Sequence, residues 1–219
     1  MNRRPTLLAA ITLTAAAALT LSACGGGDSD SSKGNDKIAG ADTGAEKSAS
    51  PSASAADSAE RPKIELPSDV TMVFEDADTG DPVKDAVLAD NAERMRAVNA
   101  AITGTDPKGE ALGYYNTGKA LEAALSWVGQ FKDAGATITG EARYYDRKVT
   151  LQSETSAVLA FCADESKGFS KDKKTNKIAK TPVTKDSYVQ YNTKLDKNAD
   201  GVWQTSQILS TRGAAQCQP

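Results

Sequence analysis

The sequence predicts an α+β domain in which N-terminal helices pack against a bent, mostly antiparallel sheet of at least four strands. Residues 82–103 and 118–134 have apolar residues three and four positions apart, which is the spacing of amphipathic helices. From residue 136 onwards apolar and polar residues alternate, as they do in half-buried strands. Helices that precede a run of strands, without alternating with them, are typical of the α+β class.

The N-terminus has the pattern of an export signal. Two arginines lie within Met1–Pro5, and the sixteen residues from Thr6 to Leu21 carry no charge. As a helix this apolar run would be about 24 Å long, shorter than the roughly 30 Å hydrocarbon core of a bilayer. We therefore predict a cleaved signal peptide over residues 1–23 and not a membrane span.

The apolar run ends in Leu21-Ser22-Ala23-Cys24. This motif resembles the lipobox of bacterial lipoproteins, in which an aliphatic residue and two small residues precede a cysteine. The resemblance implies that Cys24 carries a diacylglyceryl group and anchors the mature chain to the extracytoplasmic face of the cell membrane. Two acyl chains hold a protein stably on a bilayer, whereas one does so only marginally. The alternative is an ordinary signal peptide whose cysteine is incidental.

Residues 24–62 are predicted to form a disordered tether. From Gly25 to Pro62 the chain consists mainly of Gly, Ser, Ala, Asp and Lys, and it has no aromatic residue. Such a segment buries too little apolar surface to offset the entropy lost on ordering. A single domain is expected to follow over residues 63–219, a length that is ordinary for one domain.

Composition excludes several classes of function. Without residues 1–23, the 24 basic and 29 acidic residues give a net charge of −5, which argues against a nucleic-acid partner. Histidine is absent, which excludes Ser-His-Asp and Cys-His catalysis and removes the commonest metal ligand. The sequence has no phosphate-binding glycine loop and no metal cluster of usable spacing, so we expect neither a cofactor nor a metal.

Assigning Cys24 to the lipid leaves Cys162 and Cys217 as a pair in an exported protein. Because disulfides persist in oxidising compartments, a disulfide between them is the natural expectation. The alternative is two separate buried thiols.

The helical half of the domain has clear start and stop signals. Residues 66–74 alternate as an extended segment or first strand, and Asp81, Pro82 and Gly104 then predict a capped helix. GEALGYYNT follows as a short helix or a loop. The first helix is expected to bury Val83, Val87, Leu88, Ala92, Met95, Val98 and Ile102, and the second, ending at Gly135, to bury Leu121, Leu125, Val128 and Phe131.

The strand half contains one irregularity. In ATITGEARYYDRKVTLQ the apolar residues move from even positions, such as Tyr144, to odd positions, such as Val149. Because strand side chains alternate strictly, this shift predicts a bulge or bend. SAVLAFCAD forms the next strand after a turn near Glu154, and SYVQYNTKL and GVWQTSQIL form a hairpin across Asp200-Gly201.

This order of elements from Asp81 to Cys217 resembles the cone of nuclear transport factor 2-like proteins, including small bacterial lipoproteins and polyketide-cyclase-like enzymes. The likeness rests on AFCADES at 160–166, KLDKNADGVWQTSQIL at 194–209 and GAAQC at 213–217. It implies a pocket between the concave face of the sheet and the helices, and a pairing of the central-strand cysteine with the C-terminal one. Trp203 is interpreted as an aromatic residue that packs on the sheet.

Tyrosines are the candidate ligand-binding residues of such a pocket. We name Tyr114, Tyr144, Tyr188 and Tyr191, with Tyr115 and Tyr145 as further hydroxyl donors. The leading hypothesis is a non-catalytic module that binds a small apolar ligand or another envelope protein. The alternative is an isomerase, cyclase or dehydratase, which would need a carboxylate base such as Asp146 or Asp164 aimed into the pocket.

The connection at residues 165–185 carries seven lysines against two acidic residues. A loop of this length without structure is uncommon and often functional. We hypothesise that Lys171, Lys173, Lys174 and Lys177 contact anionic lipid headgroups or wall polymers. The alternative is a solvated arm that keeps a sheet edge soluble.

Overall fold

The computed structural model describes residues 60–75 and 78–219. The predicted signal peptide, the lipidation of Cys24 and the tether as far as residue 59 lie outside these residues. Within them, no helix combines the length and apolar character that crossing a bilayer requires.

The described residues form three α-helices and six strands, with one-turn 3-10 helices at Lys185–Ser187 and Ala215–Cys217. The helices are α1 (Pro82–Thr103), α2 (Glu110–Tyr115) and α3 (Gly118–Asp133). The strands are β1 (Val70–Phe74), β2 (Ala136–Ser153), β3 (Ser156–Asp172), β4 (Ile178–Ala179), β5 (Tyr188–Lys197) and β6 (Trp203–Arg212). The sequence left two alternatives for residues 110–115, a short helix or a loop, and the structure has a helix there.

The fold is α+β with a mixed, open sheet in the order β1-β2-β3-β5-β6, in which β4 pairs with the far end of β3. Four pairings are antiparallel, as predicted. The exception is β1, which runs parallel to β2. The three helices form the crossover between these two strands, and a crossover of this length is what a parallel pair requires.

Helix α1 begins and ends where the sequence predicts. The Asp81 carboxylate accepts the N–H groups of Val83 and Lys84 at 2.9 and 3.3 Å, and Pro82 occupies the first turn. Gly104 ends the helix with a φ of 88°, a left-handed conformation that glycine adopts without strain.

The core lies between α1 and the concave face of the sheet. Its buried members include Val87, Leu88, Met95, Leu159, Phe161, Leu195 and Trp203. The packing role of Trp203 is thus confirmed. Two predicted core residues are instead exposed, Val83 at 36% and Leu125 at 54%. Val83 lies in the first turn, beyond the edge of the core, and α3 buries the small residues Ala120 and Ala124 rather than Leu125.

The predicted irregularity in β2 is confirmed. The pairing of β2 with β3 shifts register between Tyr145 and Lys148, where Asp146 adopts a φ of 49°. A second shift follows Glu141, next to Gly140 with a φ of 95°. These bulges bend the strand around the helices.

The lysine-rich connection is shorter than predicted. Strand β3 continues to Asp172, whose side chain accepts the N–H groups of Lys174 and Thr175 in a tight turn into β4. The prediction of a long structureless loop was therefore wrong for its first half. Residues 165–172 are polar apart from Gly168 and Phe169, so the sequence shows no alternation of apolar and polar residues that would reveal the strand.

The C-terminus is tied to the centre of the sheet by a disulfide between Cys162 of β3 and Cys217, with Cα atoms 5.5 Å apart. Between these cysteines, the β5–β6 hairpin turns at Gly201, which has a φ of 84°. The Asn198 side chain accepts the N–H groups of Asp200 and Val202 there, at 3.0 and 2.9 Å.

Candidate ligand-binding cavity

Alternation along β3 decides which side chains face the helices. Phe161 pairs with Tyr191 of β5, and Ala163 lies between Tyr144 of β2 and Val189 of β5. Paired residues share a face of the sheet, and residues two apart on one strand do as well. Glu165 therefore belongs to the concave face with Phe161 and Ala163.

Two adjoining cavities lie between this face and helices α1 and α3. The first lobe has a volume of about 500 Å³ and the second about 420 Å³, within the range of small-molecule sites. Six residues line both lobes: Asn99, Ile102, Trp127, Tyr144, Glu165 and Arg212. Because they share this wall, we describe the lobes as one site.

Apolar and aromatic side chains supply much of the wall. Met72, Phe131 and Ile138 line the first lobe, and Val98 and Ile208 line the second. Trp127 borders both lobes yet is 45% exposed, which places it at the mouth. An apolar surface of this kind gains free energy when a ligand displaces water from it.

Two of the four predicted tyrosines lie in this cavity. Burial raises the pKa of Tyr144 well above its ordinary value, and burial likewise raises the pKa of Tyr191. Both hydroxyls therefore stay protonated at neutral pH and can donate hydrogen bonds. Their rings are held by stacking, Tyr144 on Phe74 at 4.7 Å and Tyr191 on Phe161 at 5.0 Å between centroids.

The structure places the other tyrosines outside both lobes. Tyr188 and Tyr145 pack around the disulfide on the convex side of the sheet, and the Tyr145 hydroxyl donates to the carbonyl of Cys217. Tyr114 and Tyr115 contact each other beside Ala97. The prediction that Tyr114 and Tyr188 line the pocket was wrong, because spacing alone did not reveal which face of the sheet or helix each would occupy.

The carboxylate that lines both lobes, Glu165, is not one that the sequence singled out. Asp164 lies on the opposite face from Glu165, with its Oδ2 4.0 Å from Arg143, and neither it nor Asp146 lines a lobe. Glu165 instead accepts a 2.8 Å hydrogen bond from Arg212 and lies 3.5 Å from the Tyr191 hydroxyl. Strict alternation from Phe161 through Ala163 is the signal that could have identified it.

A buried arginine lines the second lobe. The side chain of Arg94 donates from Nε to Asn116 at 2.8 Å and contacts the Met95 sulfur at 3.1 Å, and the residue is 4% exposed. Within the described residues no carboxylate lies within 4.0 Å of its guanidinium. Burial lowers the pKa of Arg94 to about 10, so it remains charged at neutral pH. Arg94 lies on the apolar stripe of α1, seven residues after Val87 and four before Val98, and this position in the sequence could have identified it as buried.

The remaining charged groups lie toward the rim of the first lobe. Glu141 pairs with Lys167 at 3.2 Å, and Asp186 is exposed. Residues 60–75 and 78–219 contain no group of three or more cysteine, aspartate or glutamate side chains placed to hold a metal ion.

Comparison with known proteins gives distant structural likenesses. No protein-family model and no curated protein matches the sequence. The chain is similar to a ketosteroid isomerase-like protein from Erwinia carotovora atroseptica, with 19% identity, a TM-score of 0.39 and coverage of 58% of this chain and 94% of that chain. It is also similar to a protein from Catenulispora acidiphila, with 10% identity, a TM-score of 0.40 and coverages of 60% and 95%. The intermembrane space region of the chloroplast protein ARC6 gives 9% identity, a TM-score of 0.36 and coverages of 63% and 97%.

Proposed function

We propose that this chain is an extracytoplasmic lipoprotein whose domain, a nuclear transport factor 2-like cone, binds a small apolar ligand without transforming it. The observation that carries the proposal is the two-lobed cavity of about 500 and 420 Å³, which apolar and aromatic side chains line together with polar and charged ones. The volumes are those of small-molecule sites, and the polar groups can fix the orientation of a ligand whose apolar part contacts the rest of the wall.

Binding is favoured over catalysis by the state of the cavity carboxylate. A general base needs a free carboxylate within reach of the proton that it removes. Glu165 is bound by the guanidinium of Arg212 at 2.8 Å and lies beside the Tyr191 hydroxyl. Arg212 and Tyr191 therefore occupy carboxylate oxygens that a general base would have to present to the ligand.

Filling the cavity tests the binding proposal. Ser210 lines the second lobe and is exposed, so Ser210→Trp would occupy the lobe with little disturbance of the core. Leu209→Trp is the matched control, because the preceding residue of the same strand points to the opposite face. We expect Ser210→Trp to reduce binding of the uncharged fluorescent probe N-phenyl-1-naphthylamine at least tenfold and Leu209→Trp to leave it unchanged. Equal binding by both variants would contradict the proposal.

An enzyme remains the second candidate, because Glu165, Tyr144 and Tyr191 line one cavity. A carboxylate in one cavity with neutral hydroxyl donors is a set of groups that can remove a proton next to a carbonyl and hold the resulting enolate oxygen. The test is deuterium exchange into 2-decanone in heavy water, followed by NMR. If the wild type exchanges the α-protons at the rate of Glu165→Gln, the protein is a binding module; faster exchange by the wild type would identify an enzyme.

The anchor is proposed from the lipobox-like LSAC motif alone. We expect the intact mass of the membrane-extracted protein to correspond to a chain that begins at Cys24 and carries acyl groups. Cys24→Ser should abolish the mass of the acyl groups. An unmodified Cys24 in the wild type would contradict the proposed location. A protein ligand of the envelope, the other partner that the sequence suggested, would be found bound in the same extract.

A further inference from the structure

We infer, resting on the proposed function, that the ligand is an apolar carboxylic acid whose carboxylate binds Arg94 in the second lobe while its hydrocarbon part extends toward the first. Three features of the cavity support this ligand: Arg94 lacks an anionic partner, the two lobes differ in charge, and the apolar wall runs from one lobe into the other.

Arg94 is a buried cation without an anion among the described residues. Its contacts are the amide oxygen of Asn116 and the thioether of Met95, both uncharged. A buried charge without a counter-charge is costly, and structures normally pair it. The guanidinium offers five donors in a planar fork, so after these two contacts it still has N–H groups that can bind a carboxylate. Tyr144 and Tyr191, whose hydroxyls are neutral donors, line the same lobe.

The charges of the two lobes decide where the anion binds. Arg94, Arg212 and Glu165 are the charged residues that line the second lobe, a net charge of +1. The first lobe is lined by Glu141, Glu165 and Asp186 against Arg212, a net charge of −2. A monoanionic headgroup therefore neutralises the second lobe and is repelled by the first. A cationic ligand would leave Arg94 uncompensated.

The apolar wall gives the direction of the hydrocarbon part. From Arg94 the second lobe is bordered by Val98, Ala124 and Ile208, and it meets the first lobe at Ile102 and Trp127. Beyond this junction, Phe131, Ile138 and Met72 continue the apolar surface. A chain or ring system attached to the carboxylate would thus contact apolar side chains along its length.

The test compares decanoate with 1-decanol by calorimetry at about pH 8, below their aggregation limits. It uses the mature chain from residue 24 onwards with Cys24→Ser and the disulfide formed, which carries neither the apolar signal segment nor acyl chains and therefore needs no detergent. We expect Arg94→Gln to weaken decanoate binding about ten- to a hundredfold, the range of a charge-assisted hydrogen bond, and to change decanol binding less than twofold. Arg96→Gln is the matched control, since Arg96 lies on the same helix outside both lobes and pairs with Glu93 at 2.7 Å.

The outcomes separate the inference from the proposed function. If decanoate and decanol bind the wild type equally, or if Arg94→Gln binds decanoate as the wild type does, the inference is wrong and the binding proposal stands. If neither ligand binds, both are wrong. If circular dichroism shows that Arg94→Gln does not fold, the inference is tested by the wild type alone. We then expect the wild type to bind decanoate at least tenfold more tightly than decanol.

Discussion

The backbone N–H of Trp203 donates a 2.8 Å hydrogen bond to Oδ2 of Asp90, which joins α1 to the start of β6. The other oxygen of this carboxylate accepts from Arg61, a residue that the sequence assigned to the tether. Asp90 is 1% exposed. A single buried carboxylate thus holds a helix, a hairpin and the segment around Arg61 together.

Removing this carboxylate is expected to destabilise the fold. Asp90→Ala would leave the Trp203 N–H without its acceptor and Arg61 without its counter-charge, at a cost of about 3 kcal/mol in the free energy of unfolding. Arg61→Gln should cost about 1 kcal/mol, because the Arg61 side chain is 32% exposed. Urea unfolding measures both, with Glu93→Ala on the same helix as control. Equal midpoints for Asp90→Ala and the wild type would contradict this reading.

The disulfide is expected to be the largest covalent contribution to stability. Cys162 and Cys217 enclose 55 residues, and closing a loop of that size stabilises the folded chain by about 4 kcal/mol through the entropy of the unfolded state. The double variant Cys162→Ala/Cys217→Ala should lose this amount in urea unfolding. A thiol assay of the denatured, unreduced wild type provides the check: neither cysteine should react, and two free thiols would refute the bond.

Gly140 is required by the bend in β2. A Cβ at this position would lie 2.1 Å from the carbonyl oxygen of Lys167, and the φ of 95° is one that other residues rarely adopt. We expect Gly140→Ala to cost about 2 to 4 kcal/mol in thermal or urea unfolding. Gly129→Ala is the control, since a Cβ there meets nothing within 4 Å and should leave stability unchanged or slightly higher. Similar stabilities for the two variants would show that the strand can relax.

Local chemistry made the ends of helix α1 and the bend in strand β2 predictable. Asp81, Pro82 and Gly104 determine their helix ends through their own backbone and side-chain contacts, and the change of phase between Tyr144 and Val149 is a property of one strand. Such signals act over a few residues, so they can be read without knowing what lies opposite.

The site depended on contacts between distant residues. Arg94 is buried because Asn116, 22 residues later, accepts its Nε–H, and a charged residue on a helix otherwise suggests solvent. Glu165 and Asp164 are neighbours of equal chemical type. Alternation places them on opposite faces of β3, but the pairing of β3 with β2 and β5 is what shows that the face of Phe161 and Glu165 is the concave one. The parallel orientation of β1 could not be predicted either, because the five residues of this strand contain no signal for the direction of its partner.

Stability should fall in acid through Asp69. Hydrogen bonds from Lys171 and Thr139 hold the pKa of Asp69 below its ordinary value of 3.8. A carboxyl whose folded pKa is lowered binds protons more readily in the unfolded state, so its contribution is present above about pH 4 and is lost as the pH falls through the folded pKa. Asp69→Asn should therefore reduce the difference in urea midpoint between about pH 5 and pH 2. An NMR titration of Asp69 with a midpoint at or above 3.8 would contradict this.

The exposed lysines of the β3–β4 turn are expected to contact anionic surfaces. Lys173, Lys174 and Lys177 are exposed there. Lys171, the fourth lysine of the hypothesis, forms an ion pair with Asp69 and is not included in the test. Each lysine near an anionic bilayer contributes about 1 kcal/mol at best, so the triple change to Gln should reduce retention of the mature Cys24→Ser chain, which begins at residue 24, on phosphatidylglycerol vesicles at low salt. The matched control changes Lys63, Lys108 and Lys119, whose side chains are 85%, 81% and 80% exposed elsewhere on the domain. Because both triple variants lose the same net charge, equal retention would mean that general electrostatics, and not this turn, attracts the protein to the surface.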